Sequence, residues 1–380
     1  MMSHTKKTFS LPIAGFLISY QILLLASLPF YFYFMLPSLA MIAVSFVLLY
    51  LTGLSITGGY HRFYSHRSFR TGKTLEALML FFGTMAGQGS ALRWAFDHRR
   101  HHAYVDTDED PYSINKGFWY AHFFWMLHKQ KEIDPKVVPD LIRNKLVMFQ
   151  HHFYPALMFG SNILVFLLVG WLLEDFWGAF FVAWWIRFFL LHHFTWFINS
   201  LAHTWGDKPF CQEQSAVNNY ILALLTFGEG YHNYHHVFAH DYRNGIRWYH
   251  FDPTKWLIKG LSFLGLTHEL KTVDSFTIQK RMIREKKNLL LEQVKELWYV
   301  KREEIEAKIH EISDRIETDI RVLNQLKEQY LKIKETTPSC RELLNDLQNE
   351  MKCLHQRMQE DWRAWKNLCS CITHLKPIEI

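Results

Sequence analysis

Four apolar stretches decide what this 380-residue chain can fold into. Residues 11–34 and 38–57 are each close to the ~20 residues a helix needs to cross a bilayer, and the uncharged turn Met35-Leu36-Pro37-Ser38 lies between them. Residues 153–173 and 176–198 repeat the arrangement around the acidic turn Glu174-Asp175. The chain is therefore expected to be all-α, an integral membrane protein of two helical hairpins with polar material between and after them. The first run is too long for a secretory leader, lacks a cleavage pattern and is followed at once by another span, so it reads as retained. Residues 74–89 are also apolar, but at about 16 residues they suit a helix lying at the interface or facing the cytosol.

Charge sets the orientation. Lys6 and Lys7 precede the first span, many Lys and Arg lie between residues 58 and 150, and neither short turn carries any. Both termini and the middle loop are thus expected on the cytoplasmic side, of a bacterial inner membrane or of the endoplasmic reticulum. The net charge of +6 is modest and forms no basic block of a nucleic-acid-binding kind, so it faces lipid headgroups or an anionic substrate. Five scattered cysteines, Cys211, Cys340, Cys353, Cys369 and Cys371, are no disulfide framework and fit a reduced compartment. The Cys369/Cys371 pair has no partners that would make it a metal site.

Histidine is concentrated where the second and fourth spans leave the membrane. His61 and His66 follow one; Asn199 and His203 follow the other. His98, His101 and His102 lie in the middle loop, and His232, His235 and His236 repeat their spacing. In each triplet the first histidine has partners three and four positions on, which places all three on one helical stripe. Asn199 and His203, four apart, share a face by the same rule. His61 and His66 are five apart, so the helix is expected to end or bend near Gly58-Gly59 to let both converge. One histidine is an ordinary half-buried side chain, but four clusters with ligand spacing on one side of one membrane point to a metal centre. His4, His268, His310, His355 and His374 read as solvated, His240 and His250 as structural, and His122, His128, His151 and His152 as interfacial. His192 and His193 sit at membrane depth, where polar groups are costly; function and hydrogen bonding to neighbouring helices both stay open.

The motifs "HRFYSH", "HRRHH", "NSLAH" and "EGYHNYHH", in this order and with "GDKPF" and "DYRNG", resemble the membrane-bound fatty acyl desaturases, specifically the stearoyl-CoA-desaturase-like delta-9 branch. The resemblance covers roughly residues 10–270. It implies four spans under a cytosolic helical cap and a centre of two iron ions. By the same resemblance His61, His66, His98, His101, His102, His203, His232, His235 and His236 are the ligands, and Asn199 holds one metal through water. The implied reaction uses dioxygen and two external electrons to place a cis double bond in a saturated acyl chain, at the delta-9 position of an acyl-CoA. No side-chain acid or base attacks an unactivated C–H bond, so a redox metal is required. No fused haem or ferredoxin motif is visible, which implies a separate electron carrier and reductase. An acyl or alkyl hydroxylase with the same centre, and a non-enzymatic membrane metal-binding scaffold, are the alternatives.

Asp97, Asp106, Asp108, Glu109 and Glu229 are candidates for orienting ligand imidazoles through their second nitrogen, with Asp108 and Glu109 better suited to solvated surface. The segment from Gly87 to His98, with Gln88, Trp94 and Asp97, reads as the wall of an apolar substrate tunnel, with ordinary core packing by Trp94 as the alternative. Lys129 is the candidate contact for an anionic headgroup. Phe96 stands where the branch tends to have arginine, Gln130 follows Lys129 where a second basic residue is usual, and Tyr112 replaces the more usual histidine. The acyl carrier, whether coenzyme A, another thioester or a membrane lipid, is thereby left open.

Residues 281–380 lie outside the resemblance to the 1–280 membrane part and read as a helical interaction module. Ile305, Ile309, Ile312, Ile316, Leu323, Leu326, Tyr330 and Ile333 recur at three and four. Pro338 breaks the pattern, and Ser339 with Glu342 suggests a capping box opening a second helix whose stripe runs from Leu347 to Trp365. A hairpin or coiled coil results, with one seam left for a third helix, for another copy of the chain or for a protein partner.

Overall fold

The computed structural model describes residues 8–297, 301–337 and 340–375. Its chain divides into two compact units, residues 1–208 with 213–272, and residues 209–212 with 273–380. Both are helical; among the described residues the only strand pairing beyond isolated bridges joins Arg70–Thr71 to Thr267–His268.

Four helices of the first unit are long and apolar enough to cross a membrane: Leu11–Phe34, Leu39–Ser65, Tyr154–Leu172 and Phe176–His203. The protein is accordingly a multi-pass membrane protein. Local chemistry starts the spans where the sequence suggests. Pro12 stands in the first turn of span one, where its missing N–H is no loss. Ser38 accepts from the Met41 amide at 3.1 Å, and Asp175 from the Gly178 amide at 2.7 Å, so both tight turns double as helix caps.

Spans two and four run further than expected from apolarity, to Ser65 and His203 instead of 57 and 198. Each contains a π-helical stretch, Ser55–Ser65 and Ala179–Ile186, and each extends past its most apolar part with histidines at the end. The expected break at Gly58-Gly59 does not occur. Those glycines lie inside the π-helix, and Gly59 lets Met79 approach to 3.2 Å of where a Cβ would stand. Gly83 of the helix Lys73–Met85 does the reverse, leaving room for the Tyr60 ring. This helix is the short apolar segment expected not to span, and it packs on the end of span two. Gly87 and Gly89, both at positive φ, then turn the chain into Ser90, which caps the helix Ala91–Tyr104. Leu49, Ile56, Tyr60, Leu92, Phe96 and Leu191 are among the buried residues that join these elements in one core.

In the second unit Arg302–Thr336 and Arg341–His374 form the expected hairpin, and Ser275–Lys295 adds a third helix. Residue 280 falls within that helix, so the second unit begins before it. The pairs Arg315 with Asp361 and Arg357 with Asp319 share one residue-number sum, which fixes the hairpin as antiparallel. Ile309, Ile316, Leu323, Leu354, Met358 and Trp365 meet Ile283, Leu290 and Val294 in a continuous core, so the third seam is filled by the chain's own residues. Pro338 and Ser339 lie outside the described residues.

Candidate metal centre

In an α-helix, residues five apart point about 140° away from each other. The π-turn removes that divergence: the His66 amide bonds the His61 carbonyl at 3.1 Å, and the two rings lie 4.8 Å apart. The wider turn, and not a break, is what brings both histidines to one side.

Nine imidazoles then gather into two groups, His61, His66, His98, His102 and His235 in one, His101, His203, His232 and His236 in the other, with donor atoms within 4.8 Å of one another in each. Neither triplet stays together. On Ala91–Tyr104, His98 and His102 enter the first group and His101 the second; on His232–Val237, His232 and His236 enter the second and His235 the first. The i, i+4 pair serves one group and the i+3 residue its neighbour, so each short helix ties the two groups at a fixed spacing. Asn199 and His203 do not share a regular helical face, because the helix Arg187–Asn199 ends at Ser200 and His203 lies in a 3₁₀ turn.

The rings meet through Nε2. His66 and His98 are 2.8 Å apart, His61 and His235 2.9 Å, His235 and His102 3.0 Å, His232 and His203 3.1 Å, and His236 and His232 3.0 Å. Four rings are held at Nδ1. Glu229 lies 2.9 Å from His61, Asp110 3.0 Å from His101, the Tyr112 hydroxyl 3.1 Å from His98, and Ser215 Oγ 2.6 Å from His203. A neutral imidazole that donates a hydrogen bond from Nδ1–H to a carboxylate presents only a lone pair at Nε2. Lone pairs cannot hold one another, so the convergence fits a bound Lewis acid in each group. Burial, reinforced by neighbouring imidazoles, holds His66, His98, His102, His232, His235 and His236 well below the usual imidazole range, keeping them neutral and able to ligate. All-imidazole donors suit a borderline transition metal and argue against magnesium or calcium.

The carboxylates divide as follows. Glu229 is buried, which raises its pKa, but His61 and Arg62 outweigh this and hold it below the usual range. It also accepts from Arg62 at 2.9 Å and from Asn244 at 2.6 Å. Asp106 acts at one remove, binding the Ser215 that holds His203. Asp97 touches no ligand and forks onto Arg93 at 2.8 and 2.7 Å. Asp108 is exposed, and Glu109 pairs with Lys131 and Arg100. Asp110 and Tyr112 were missed by sequence reasoning. Nothing in the run Asp106–Asp110 marks which acid is buried, although Asp110 directly before Pro111 was a signal that the chain turns back there.

An apolar cavity of about 660 Å³ adjoins the first group. His61, His98 and Asn199 lie on its wall, as do Gln88, Trp94 and Asp97. Trp94 stacks on His98 with centroids 4.9 Å apart, and Gln88 donates to Thr195 at 2.8 Å. Lys129 is not on the lining: its side chain is exposed and its amide bonds the Thr8 carbonyl at 2.7 Å, while Gln130 and Arg93 do line the cavity. His192 bonds Tyr20 at 2.6 Å, lies 2.9 Å from the Ala86 carbonyl and also stands on the cavity wall; His193 meets His122 and Gln21 within the helix bundle. His240 bonds the His66 carbonyl at 2.8 Å, and His250 stacks on Tyr231.

A family model described as fatty acid desaturase matches residues 36–262, and the chain belongs to that family. Among curated proteins it is 46% identical over 242 residues to a probable acyl-CoA desaturase of Schizosaccharomyces pombe, covering 63% of this chain and 50% of that one. It is 41% identical over 239 residues to acyl-CoA desaturase 1 of Saccharomyces cerevisiae, covering 61% and 46%. It is 36% identical over 240 residues to the sn-1 stearoyl-lipid 9-desaturase of Anabaena variabilis, covering 62% and 86%. The match thus spans about half the length of the two yeast relatives.

Proposed function

We propose that this protein is a membrane-bound di-iron desaturase that places a cis double bond at the delta-9 position of a saturated acyl-CoA. The observation that carries the reading is the apolar cavity whose wall includes two imidazoles of the first group. Family membership and the names of the relatives supply the reaction and the position, and the two yeast relatives favour the coenzyme A carrier over the lipid carrier.

In this reading His61, His66, His98, His102 and His235 hold one iron. His101, His203, His232 and His236 would hold the other, and Asn199 would hold one of the two through water. Bound there, the irons supply the dioxygen chemistry needed to remove hydrogen from an unactivated C–H bond. The chain's own residues do the rest. Glu229 and Asp110 accept hydrogen bonds from Nδ1–H of His61 and His101 and fix each tautomer. Leu17, Phe16, Met158 and Trp196 present apolar wall that excludes water from the acyl chain. Gln88 and Thr195 hold each other across that wall, and Trp94 braces His98. Arg93, anchored by Asp97, is the cation at the lining that suits an anionic headgroup, in place of Lys129. The charge bias of the loops supports a cytoplasmic location for both termini and the centre.

The test is expression in a yeast strain lacking its own desaturase, followed by mass analysis of fatty-acid double-bond position. Delta-9 monounsaturated chains are expected. Hydroxylated chains would favour the hydroxylase alternative, and no new product would contradict the enzymatic reading.

A further inference from the structure

Residues 220–266 are apolar on the outside, where a surface facing water is polar. The helix Tyr220–Leu225 exposes Tyr220, Ile221, Leu224 and Leu225. The helix Pro253–Phe263 buries Thr254, Lys255 and Ile258 and turns Trp256, Leu257 and Phe263 outward, the reverse of an amphipathic helix in water. Between them in sequence, Trp248 is 87% exposed beside an exposed Tyr249.

Packing fixes the depth of both helices. Phe227, two residues past the first, sets its ring against Tyr50 with centroids 5.3 Å apart, and a Cβ on Gly53 would stand 2.3 Å from it. Thr254, in the first turn of the second helix, meets Thr57 oxygen to oxygen at 2.6 Å and donates to the Phe227 carbonyl at 2.9 Å. Tyr50, Gly53 and Thr57 belong to the apolar run 38–57 of span two, so both helices start at the level of its last two turns. The far end of the second helix is held as well. Thr71 donates to the Leu266 carbonyl at 2.8 Å, two residues before the apolar helix Lys73–Met85, whose Leu78 and Phe81 are also exposed. Tied at both ends to elements at the membrane surface, the helix lies along the leaflet.

Charge agrees with that placement. Glu229, Asp241 and Asp252 are the carboxylates of residues 220–266, and all three are buried. Arg247 and Lys259 are exposed, and Lys259 stands over the Phe263 ring at 4.8 Å. The outward charge is therefore positive and sits among exposed aromatic rings. We propose that residues 220–266 bind an anionic lipid leaflet: the outer faces of the two helices enter its acyl region, Trp248 and Tyr249 lie in the headgroup layer, and Arg247 and Lys259 meet phosphate. This contact is independent of the reaction proposed above.

The test uses the full chain in phospholipid nanodiscs, with Cys340, Cys353, Cys369 and Cys371 replaced by Ser and the buried Cys211 kept. The dye NBD is attached at Leu224→Cys, at Leu257→Cys and, as a reference inside the bilayer, at Leu164→Cys of span three. Nitroxide-labelled lipid is expected to quench positions 224 and 257 at least about half as well as position 164, and aqueous iodide only weakly. Iodide quenching that exceeds lipid quenching at either position would overturn the leaflet contact. Shielding from both quenchers would assign the face to protein, a second copy included, and overturn it too. Replacing part of the phosphatidylcholine by phosphatidylglycerol is expected to raise lipid quenching at 257 about twofold. Molar salt, or Arg247→Gln with Lys259→Gln, should remove that gain while quenching at 164, which reports insertion, stays unchanged. Equal quenching at 257 in the two lipid mixtures, or a gain that survives both changes, would overturn the anionic headgroup assignment.

Discussion

Glu229 joins the site to its support: one oxygen faces His61 Nδ1 and the other the guanidinium of Arg62, while Asn244 fills a remaining lone pair. Asp110 serves His101 in the same way. Glu229→Gln and Asp110→Asn are expected to weaken iron binding about 10–100-fold without unfolding the protein; the check is iron retained after dialysis against a graded chelator, and full retention would contradict the role. The imidazoles also set a pH limit. Folded His66, His98, His102, His232, His235 and His236 lie below the ~6.5 of the unfolded chain. Below that value the unfolded state binds more protons, so the metal-free protein loses stability as pH falls through the window. Its melting temperature in detergent is expected to drop between pH 7.5 and 5.5, and metal should raise it at both. At this scale the clustering of nine histidines could be read from their short intervals, but not the division of each triplet between two groups. Their orienting partners could not be read either: Asp110 and Tyr112 come from a loop that packs back on the helix Ala91–Tyr104, and one sequence does not show that return. Lys129, exposed and off the cavity lining, shows the same limit, since lying near an interface in sequence does not say which way a side chain faces.

The elements that deliver the ligands are two spans with π-helical segments and two short helices. The starts of the spans and the two tight turns were legible from composition, but spans two and four run past the ends that apolarity suggested, to Ser65 and His203. The π-turns were not legible, because periodicity arguments assume the α-helical repeat, and the Gly58-Gly59 pair invited a helix end. In the structure glycine serves close approach. A Cβ on Gly83 would lie 2.5 Å from the Tyr60 ring, whereas one on Gly160 meets nothing within 4 Å. Gly83→Ala is therefore expected to destabilise the protein by about 1–3 kcal/mol and Gly160→Ala to be near neutral, compared by thermal melts in detergent. Equal melting temperatures would mean that Tyr60 moves aside freely and that this packing does not hold span two.

Over the whole molecule, the family match ends at residue 262 and the second unit begins at 273, with a hydrophobic core drawn from residues 276–372. The helical stripes of that unit were legible. Its third helix was not, because the charged Ser275–Lys295 reads as solvated until its Ile283, Leu290 and Val294 are seen inside. Its own third helix fills the seam that had been expected to take a partner, so we propose that the bundle meets another copy or a protein partner through its outer surface. A chain ending at Thr272 is then expected to keep its iron and its product while changing assembly size on a calibrated column in detergent; a folded but iron-free truncation would contradict the division of labour. The central claim is that nine imidazoles hold two irons beside an acyl cavity, and metal analysis of the purified protein addresses it most directly. Two iron atoms per wild-type chain are expected, with marked loss in His98→Ala and in His235→Ala. A wild-type protein that binds no iron under any loading condition, or variants that keep both atoms, would contradict it.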